Sequence, residues 1–179
     1  PMKNLLCFCI LVIISAATAN AATYWFTNSD PQDPNNWNSI NNWLDAYLQP
    51  AGKVPAATDS AQFSFDNFKC SLDTTLSIRY LDCPYGGKGG RLLIDNDGNL
   101  TVTKTWNLAT ISDTNGVVDV NEGGVVNFTA VNVPICLTVG NGGDGLMNVR
   151  GTLNGKNDMQ ISYGMANDEG VTSSGIVNV

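Results

Sequence analysis

From Leu72 onward apolar and polar residues alternate in short runs, and the runs themselves recur. A glycine followed by an apolar-rich phrase is written four times, as Gly90-Arg-Leu-Leu-Ile-Asp95, Gly116-Val-Val-Asp-Val-Asn121, Gly145-Leu-Met-Asn-Val-Arg150 and Gly175-Ile-Val-Asn-Val179. The intervals between these glycines are 26, 29 and 30 residues. A period of that size marks a solenoid or propeller, whose single unit is too small to bury its own apolar face. Each phrase has an echo 6 to 8 residues later, at Gly98-Asn-Leu-Thr-Val102, Gly124-Val-Val-Asn-Phe128 and Gly151-Thr-Leu-Asn154. A third strand family falls between the pairs, at Trp106–Ile111, Ile135–Gly140 and Met159–Gly164.

Three short strands and three turns per coil predict an all-β fold, a three-sided parallel β-helix. Each strand then pairs with its counterpart one coil away, about 4.8 Å along the axis, so like residues stack on like. Leu92, Val118, Met147 and Val177 are predicted as one inward ladder, and Ile94, Val120, Val149 and Val179 as a second. A β-sandwich also turns every 8 to 12 residues or so, yet it has no reason to repeat at this longer period. Beyond Pro84 the only proline is Pro134, as befits strands that donate every ladder hydrogen bond. Glycine at the corners is expected to supply positive φ, with asparagine next best. The general preference for right-handed parallel crossovers makes the expected helix right-handed.

The segment before the repeats, Ala22 to about Phe68, is rich in Asn, Asp, Pro and Trp. Ile40, Trp43, Leu44, Tyr47 and Leu48 fall at spacings of three and four, which predicts a short amphipathic helix. Ala61–Phe65 alternates and reads as the first strand, and Thr75–Leu81 as another. A solenoid end exposes unpaired edges and apolar core. The Trp-containing segment is therefore read as an N-terminal cap over residues 22–71, with β-helix repeats over 72–179.

Composition refines the setting. With 43% apolar and 14% charged residues the chain should fold, and 179 residues suit one domain. The net charge of −7 argues against nucleic acid as a partner, because phosphate binding needs clustered Lys and Arg. Lys3, the apolar run Leu5 to Ile14 and Ala19-Asn20-Ala21 read as a signal peptide over 1–21, cleaved after Ala21. The run is too short to span a bilayer, so no membrane span is expected in the mature chain. Loss of Lys3 leaves 8 basic against 16 acidic residues, a net charge of −8. Pro1 before Met2 and the stop within a repeat suggest a fragment of a longer reading frame. Of the cysteines beyond the leader, Cys70 and Cys83 either pair as a disulfide in an oxidising compartment or remain buried thiols. Cys136, between Ile135 and Leu137, reads as core.

The candidate chemistry is sparse. The absence of histidine removes Ser-His-Asp, Cys-His and histidine-based metal sites. Carboxylate pairs remain, with Asp95, Asp97, Asp119 and Asp144 on repeat strands or turns. Asp119 aligns with Leu93, Asn148 and Asn178, so no acidic ladder builds up, and a solvated face is the preferred reading over catalysis. Asp95–Asn99 and Gly142–Gly145 are oxygen-rich loops that suit Ca²⁺, but turn geometry accounts for both, and no metal ligand set is assigned. Trp25, Trp37, Trp43 and Tyr47 offer rings on which a sugar could stack, with Trp37 and Trp43 the principal candidates. Burial in the cap is preferred for them. Asn99-Leu-Thr101 and Asn127-Phe-Thr129 are glycosylation sequons.

The Asn36-Trp37 and Asn42-Trp43 pairs, Pro55 with Asp59, Phe63-Ser-Phe65, and glycine-punctuated units such as Leu137-Thr-Val-Gly-Asn-Gly-Gly-Asp-Gly145 carry a resemblance. The chain resembles the N-terminal region of large exported bacterial β-helix proteins with autotransporter-passenger or pectin-lyase-like repeats. The resemblance implies a secreted or cell-surface protein, a non-enzymatic stalk or adhesin, with extracellular polysaccharide or surface components as partners. For some relatives it implies polysaccharide lyase or hydrolase activity, which makes a carbohydrate-active protein the alternative.

Overall fold

The computed structural model describes residues 21–86, 88–111, 114–155, 157–163 and 174–179. Residues 1–20 of the expected leader lie outside them. Among the described residues no helix is long and apolar enough to cross a membrane.

The chain winds as a parallel β-solenoid. β1 (Thr23–Phe26) and β2 (Trp43–Leu44) precede the coils. The first coil is β3 (Ser60–Gln62), β4 (Lys69–Leu72) and β5 (Thr75–Ile78), and the second is β6 (Tyr80–Cys83), β7 (Lys88–Ile94) and β8 (Asn99–Val102). The third comprises β9 (Trp106–Leu108), β10 (Asn115–Val120) and β11 (Val125–Phe128), and the fourth β12 (Ile135–Asn141), β13 (Asp144–Val149) and β14 (Thr152–Gly155). β15 (Asp158–Tyr163) and β16 (Ser174–Asn178) open a fifth. Stacking gives three sheets, ordered β15-β12-β9-β6-β3-β1-β2, β16-β13-β10-β7-β4 and β14-β11-β8-β5.

The register follows the repeat. Val118 pairs with Leu92 and Met147, and Met147 with Val177, so the first expected ladder holds. β4 extends it downward, with Cys70 beneath Leu92 and Leu72 beneath Ile94. The second ladder reaches Val149 only, because β16 ends at Asn178 and Val179 is fully exposed. Parallel stacking already begins at β3, before Leu72. Ala61–Phe65 is not the first strand, since β1 lies alongside β3 in parallel. Thr75–Leu81 is not one strand either: it breaks at Arg79 into β5 and β6, which belong to different sheets.

The repeated glycines turn out to serve packing. Positive φ is found at Gly89, Gly123, Gly140 and Gly142, and at Asn28, Asn67 and Asn132, but not at Gly90, Gly116 or Gly145. A Cβ at Gly90 would stand 1.9 Å from the Phe68 ring, and one at Gly116 would stand 2.2 Å from the Pro84 ring. The corner of the coil beneath thus rests directly on the repeat glycine.

The predicted helix over Ile40–Leu48 does not form. Only Ile40–Asn42 is helical, as one 3₁₀ turn, and Trp43–Leu44 goes straight into β2. Asn42 is the cause, because its side chain bonds the backbone instead of projecting from a helix. Its Nδ2 donates to the carbonyls of Asp33 and Asn36 at 2.9 Å each, and its Oδ1 accepts the Asp30 amide at 2.8 Å. Tyr47 and Leu48, expected on the buried face, are 84% and 57% exposed.

The segment nevertheless covers the solenoid end. β2 runs antiparallel to β1 and closes that edge of the first sheet. Asn36 bridges Ser71, with the Trp37 amide donating to the Ser71 carbonyl at 3.0 Å, so the second sheet is covered at β4. Phe26, Trp37, Trp43, Phe63 and Phe68 fill the space between as one ring cluster, with centroids 4.7 to 5.9 Å apart. Unpaired edges invite pairing with other chains; the cap covers the ends of the first two sheets, while the third ends at β5, which among the described residues pairs only with β8.

Candidate functional site

A groove lies on the outward side of the second sheet. With a volume of about 350 Å³, it runs across β7, β10, β13 and β16, between an outer row of Asn115, Asp144 and Ser174 and a row of Val117, Leu146 and Ile176. Two of the acidic candidates, Asp119 and Asp144, stand on this sheet. Asn115 pairs with Asp144 across the sheet, and Asp119 lies four residues further along β10, a separation of about 13 Å at strand rise. Inverting glycosidases hold their two carboxyls about 6.5 to 9.5 Å apart, and retaining enzymes closer. Asp119 and Asp144 are too far apart for either.

Asp95 and Asp119 come nearer, on diagonal positions of neighbouring strands, but both are committed. Asp119 is ion-paired with Arg91 and accepts the Asn148 side chain at 2.8 Å. Burial pushes its pKa up, but the bonds from Arg91 and Asn148 and the charges of Arg91 and Arg150 outweigh this, so the carboxyl lies below its usual range. A general acid needs the opposite shift. Asp95 accepts Ser71 at 3.3 Å and Asn121 at 3.0 Å. Asp97 is an exposed residue of the Asp95–Gly98 turn, closed by a 2.8 Å backbone bond.

The outward polar residues form ladders. Asn127 donates to Asn99 and Asn154 to Asn127, each at 2.9 Å, while Asn178 donates to Asn148 at 2.8 Å. The Nδ2 of Asn127, the atom a sequon would glycosylate, is engaged in this way. Among the described residues no three His, Cys, Asp or Glu side chains gather as metal ligands. Gly142 and Gly143 make the tight link between β12 and β13, where a Cβ at Gly143 would meet Thr114 and Ile111 of the coil below within 2.6 Å.

Trp37 and Trp43 are both 0% exposed. Neither has a free face on which a sugar could stack, which corrects their candidacy. Trp43 donates its indole N–H to the Trp37 carbonyl at 2.7 Å, locking the pair inside the cap. Cys70 and Cys83 are free and buried in this structure, as is Cys136. Burial pushes both thiols well above their usual range, with Cys83 adding to the shift at Cys70 and Asp82 to that at Cys83. They are inert as nucleophiles.

Sequence reading named Trp25 as a stacking ring but missed the residues that surround it on the outward face of the first sheet. Trp25 points away from the core on β1, in register with Gln62 on β3, and Gln62 with Asp82 on β6. Asp82 accepts Gln62 at 3.2 Å and Asn107 at 2.9 Å. Tyr85, just past β6, meets Trp25 edge to face at 6.0 Å with ring planes 82° apart. Tyr80 lies on the same face with the Arg79 guanidinium 5.0 Å from its ring centre. The legible signal was the alternation in Thr23-Tyr-Trp-Phe26, which places Tyr24 and Phe26 inward and Trp25 outward.

Comparison of the chain with protein-family models, with curated proteins and with solved structures found no match.

Proposed function

We propose that the chain belongs to an exported, non-enzymatic β-helical stalk or adhesin of the autotransporter-passenger or pectin-lyase-like type. The observation that carries this reading is the use made of the outward polar side chains. Asp82, Asp95 and Asp119 each accept side-chain bonds from neighbouring coils, and none stands as a free acid opposite a second. Side chains committed to one another along the axis stiffen a rod, and they leave no general acid and base facing a shared substrate position. The capped end supports the same reading, because a rod needs one terminus that does not polymerise.

Two measurements test it. Expressed behind its own leader in a bacterial host, the protein is expected to appear outside the cytoplasm with Ala22 at its N-terminus; an unprocessed cytoplasmic product refutes export. Incubated with pectin, polygalacturonate, alginate and xylan, it is expected to release neither reducing ends nor unsaturated uronates. Cleavage abolished by Asp119→Asn or Asp95→Asn would refute the non-enzymatic reading.

A further inference from the structure

We infer that the outward corner of the first sheet around Trp25 and Tyr85 is a binding subsite for an uncharged polysaccharide; this rests on the adhesin reading. The two rings meet almost at right angles, 82°, and form a notch rather than a flat patch. Tyr85 is 36% exposed, and Trp25 is half-buried with its ring turned away from the core. In a protein that buries Trp37, Trp43 and Trp106 completely, an aromatic pair kept at the surface is not needed for the core. Rings with one apolar face and one wet edge suit an amphipathic partner, and a pyranose, with C–H bonds on its faces and hydroxyls at its rim, is such a partner.

The polar groups beside the notch fit the same ligand. Gln62, Asp82 and Asn107 occupy successive strands of the sheet next to Trp25. Their rungs are about 4.8 Å apart, close to the advance of one sugar unit in an extended chain. Gln62 and Asn107 each give one N–H to Asp82, which leaves each amide an oxygen acceptor and a second N–H for hydroxyls.

Charge selects among glycans. Asp82 sits at the centre of the polar row and the chain carries −7 overall, so a polyuronate or sulfated chain is repelled while a neutral glucan, mannan or xylan is not.

The test uses the purified full chain in affinity electrophoresis and calorimetry against soluble β-glucan, mannan, xylan and polygalacturonate. At least one neutral polymer is expected to bind and polygalacturonate is not. Trp25→Ala and Tyr85→Ala should each weaken binding about tenfold, the scale of one well-packed aromatic contact, while Tyr47→Ala, which removes an exposed ring elsewhere, should leave it unchanged. Tyr85→Ala carries the test if Trp25→Ala fails to fold, since Tyr85 is the more exposed ring. Absence of neutral-glycan binding, binding undiminished by Tyr85→Ala, or binding of polygalacturonate alone would overturn the subsite. Those outcomes leave the exported stalk standing, because export and lack of cleavage are measured separately.

Discussion

Replacing Gly90 by alanine separates two explanations of the repeat glycine. If the residue were present for backbone freedom alone, Gly90→Ala would be harmless, since its φ is not positive. It would even gain about 0.4 to 1 kcal/mol by restricting the unfolded chain. If close packing is the reason, the outcome has the opposite sign. The added Cβ would lie 1.9 Å from Phe68 Cε1 and 2.1 Å from Cδ1, where carbon pairs settle at about 3.5 Å or more. Roughly 1.5 Å of movement is required. Phe68 cannot retreat, because it is 1% exposed and backed by Phe63 at 4.7 Å. Overpacking of this kind costs about 1 to 3 kcal/mol, and the unfolded-state gain offsets only part of it. In urea unfolding followed by circular dichroism the midpoint should fall by about 0.5 to 1 M, for a slope near 2 kcal/mol/M. Gly86→Ala is the control, because its nearest neighbour would be Ile111 Cδ1 at an ordinary 3.8 Å. Phe68→Leu combined with Gly90→Ala should recover part of the loss as a favourable coupling of about 0.5 to 3 kcal/mol. A Gly90→Ala protein as stable as the parent, or more so, would refute the packing account.

Asn42→Ala removes three buried bonds at once and should cost about 2 to 4 kcal/mol, with light scattering rising as the cap loosens and the β1 and β4 edges open. Asp119→Asn should flatten the acid limb of the stability curve: the wild-type carboxyl has a depressed pKa, so its contribution is present above the unfolded value of about 3.9 and lost as pH falls through the folded one. Equal acid sensitivity of the two proteins in urea titrations between neutral and acid pH would contradict this. Cys70, Cys83 and Cys136, free and buried, should react with a thiol reagent only after denaturation; fast labelling of the native protein, or a Cys70–Cys83 linked peptide in its digest, would contradict that.

The coils were legible in the sequence because a solenoid repeats its constraints. Leu92, Val118 and Met147 occupy one inward site, so the same demand is written three times and periodicity exposes it. The cap was not legible in this way, since each of its residues answers a demand made once. Ile40 to Leu48 carries a helical spacing of apolar residues, but the side chain of Asn42 outbids it by satisfying three backbone groups. Periodicity weighs apolar positions and is blind to such a bond. The glycine columns show a subtler limit. Their recurrence was visible, but its cause lay in residues of the coil beneath, Phe68 and Pro84, outside the repeated phrase.

The most buried aspartate of the repeats, Asp119, has its explanation in the direction of the ladders. On the second sheet Asn178 donates to Asn148 and Asn148 to Asp119, each amide giving its N–H to the coil nearer the cap. The next residue down that column is Leu93, which accepts nothing. An asparagine at the foot would hold two N–H groups over an apolar side chain, whereas a carboxylate only accepts and leaves no donor unmet. Asp119 therefore ends the ladder, and Arg91 from the adjacent row balances its charge. Asp95 likewise accepts Asn121 from the coil above, but it also accepts Ser71 from the coil below, and Asn121 in turn accepts Arg150 at 2.6 Å. On the third sheet the foot is Asn99 and not an acid, and that residue is half-exposed, so water can meet the donors that would otherwise go without a partner. At Asp119 a carboxylate appears where a column of amides stops above apolar packing. Asp119 thus carries charge, burial and a lowered pKa, the marks by which active sites are sought, for a reason that belongs wholly to the rod.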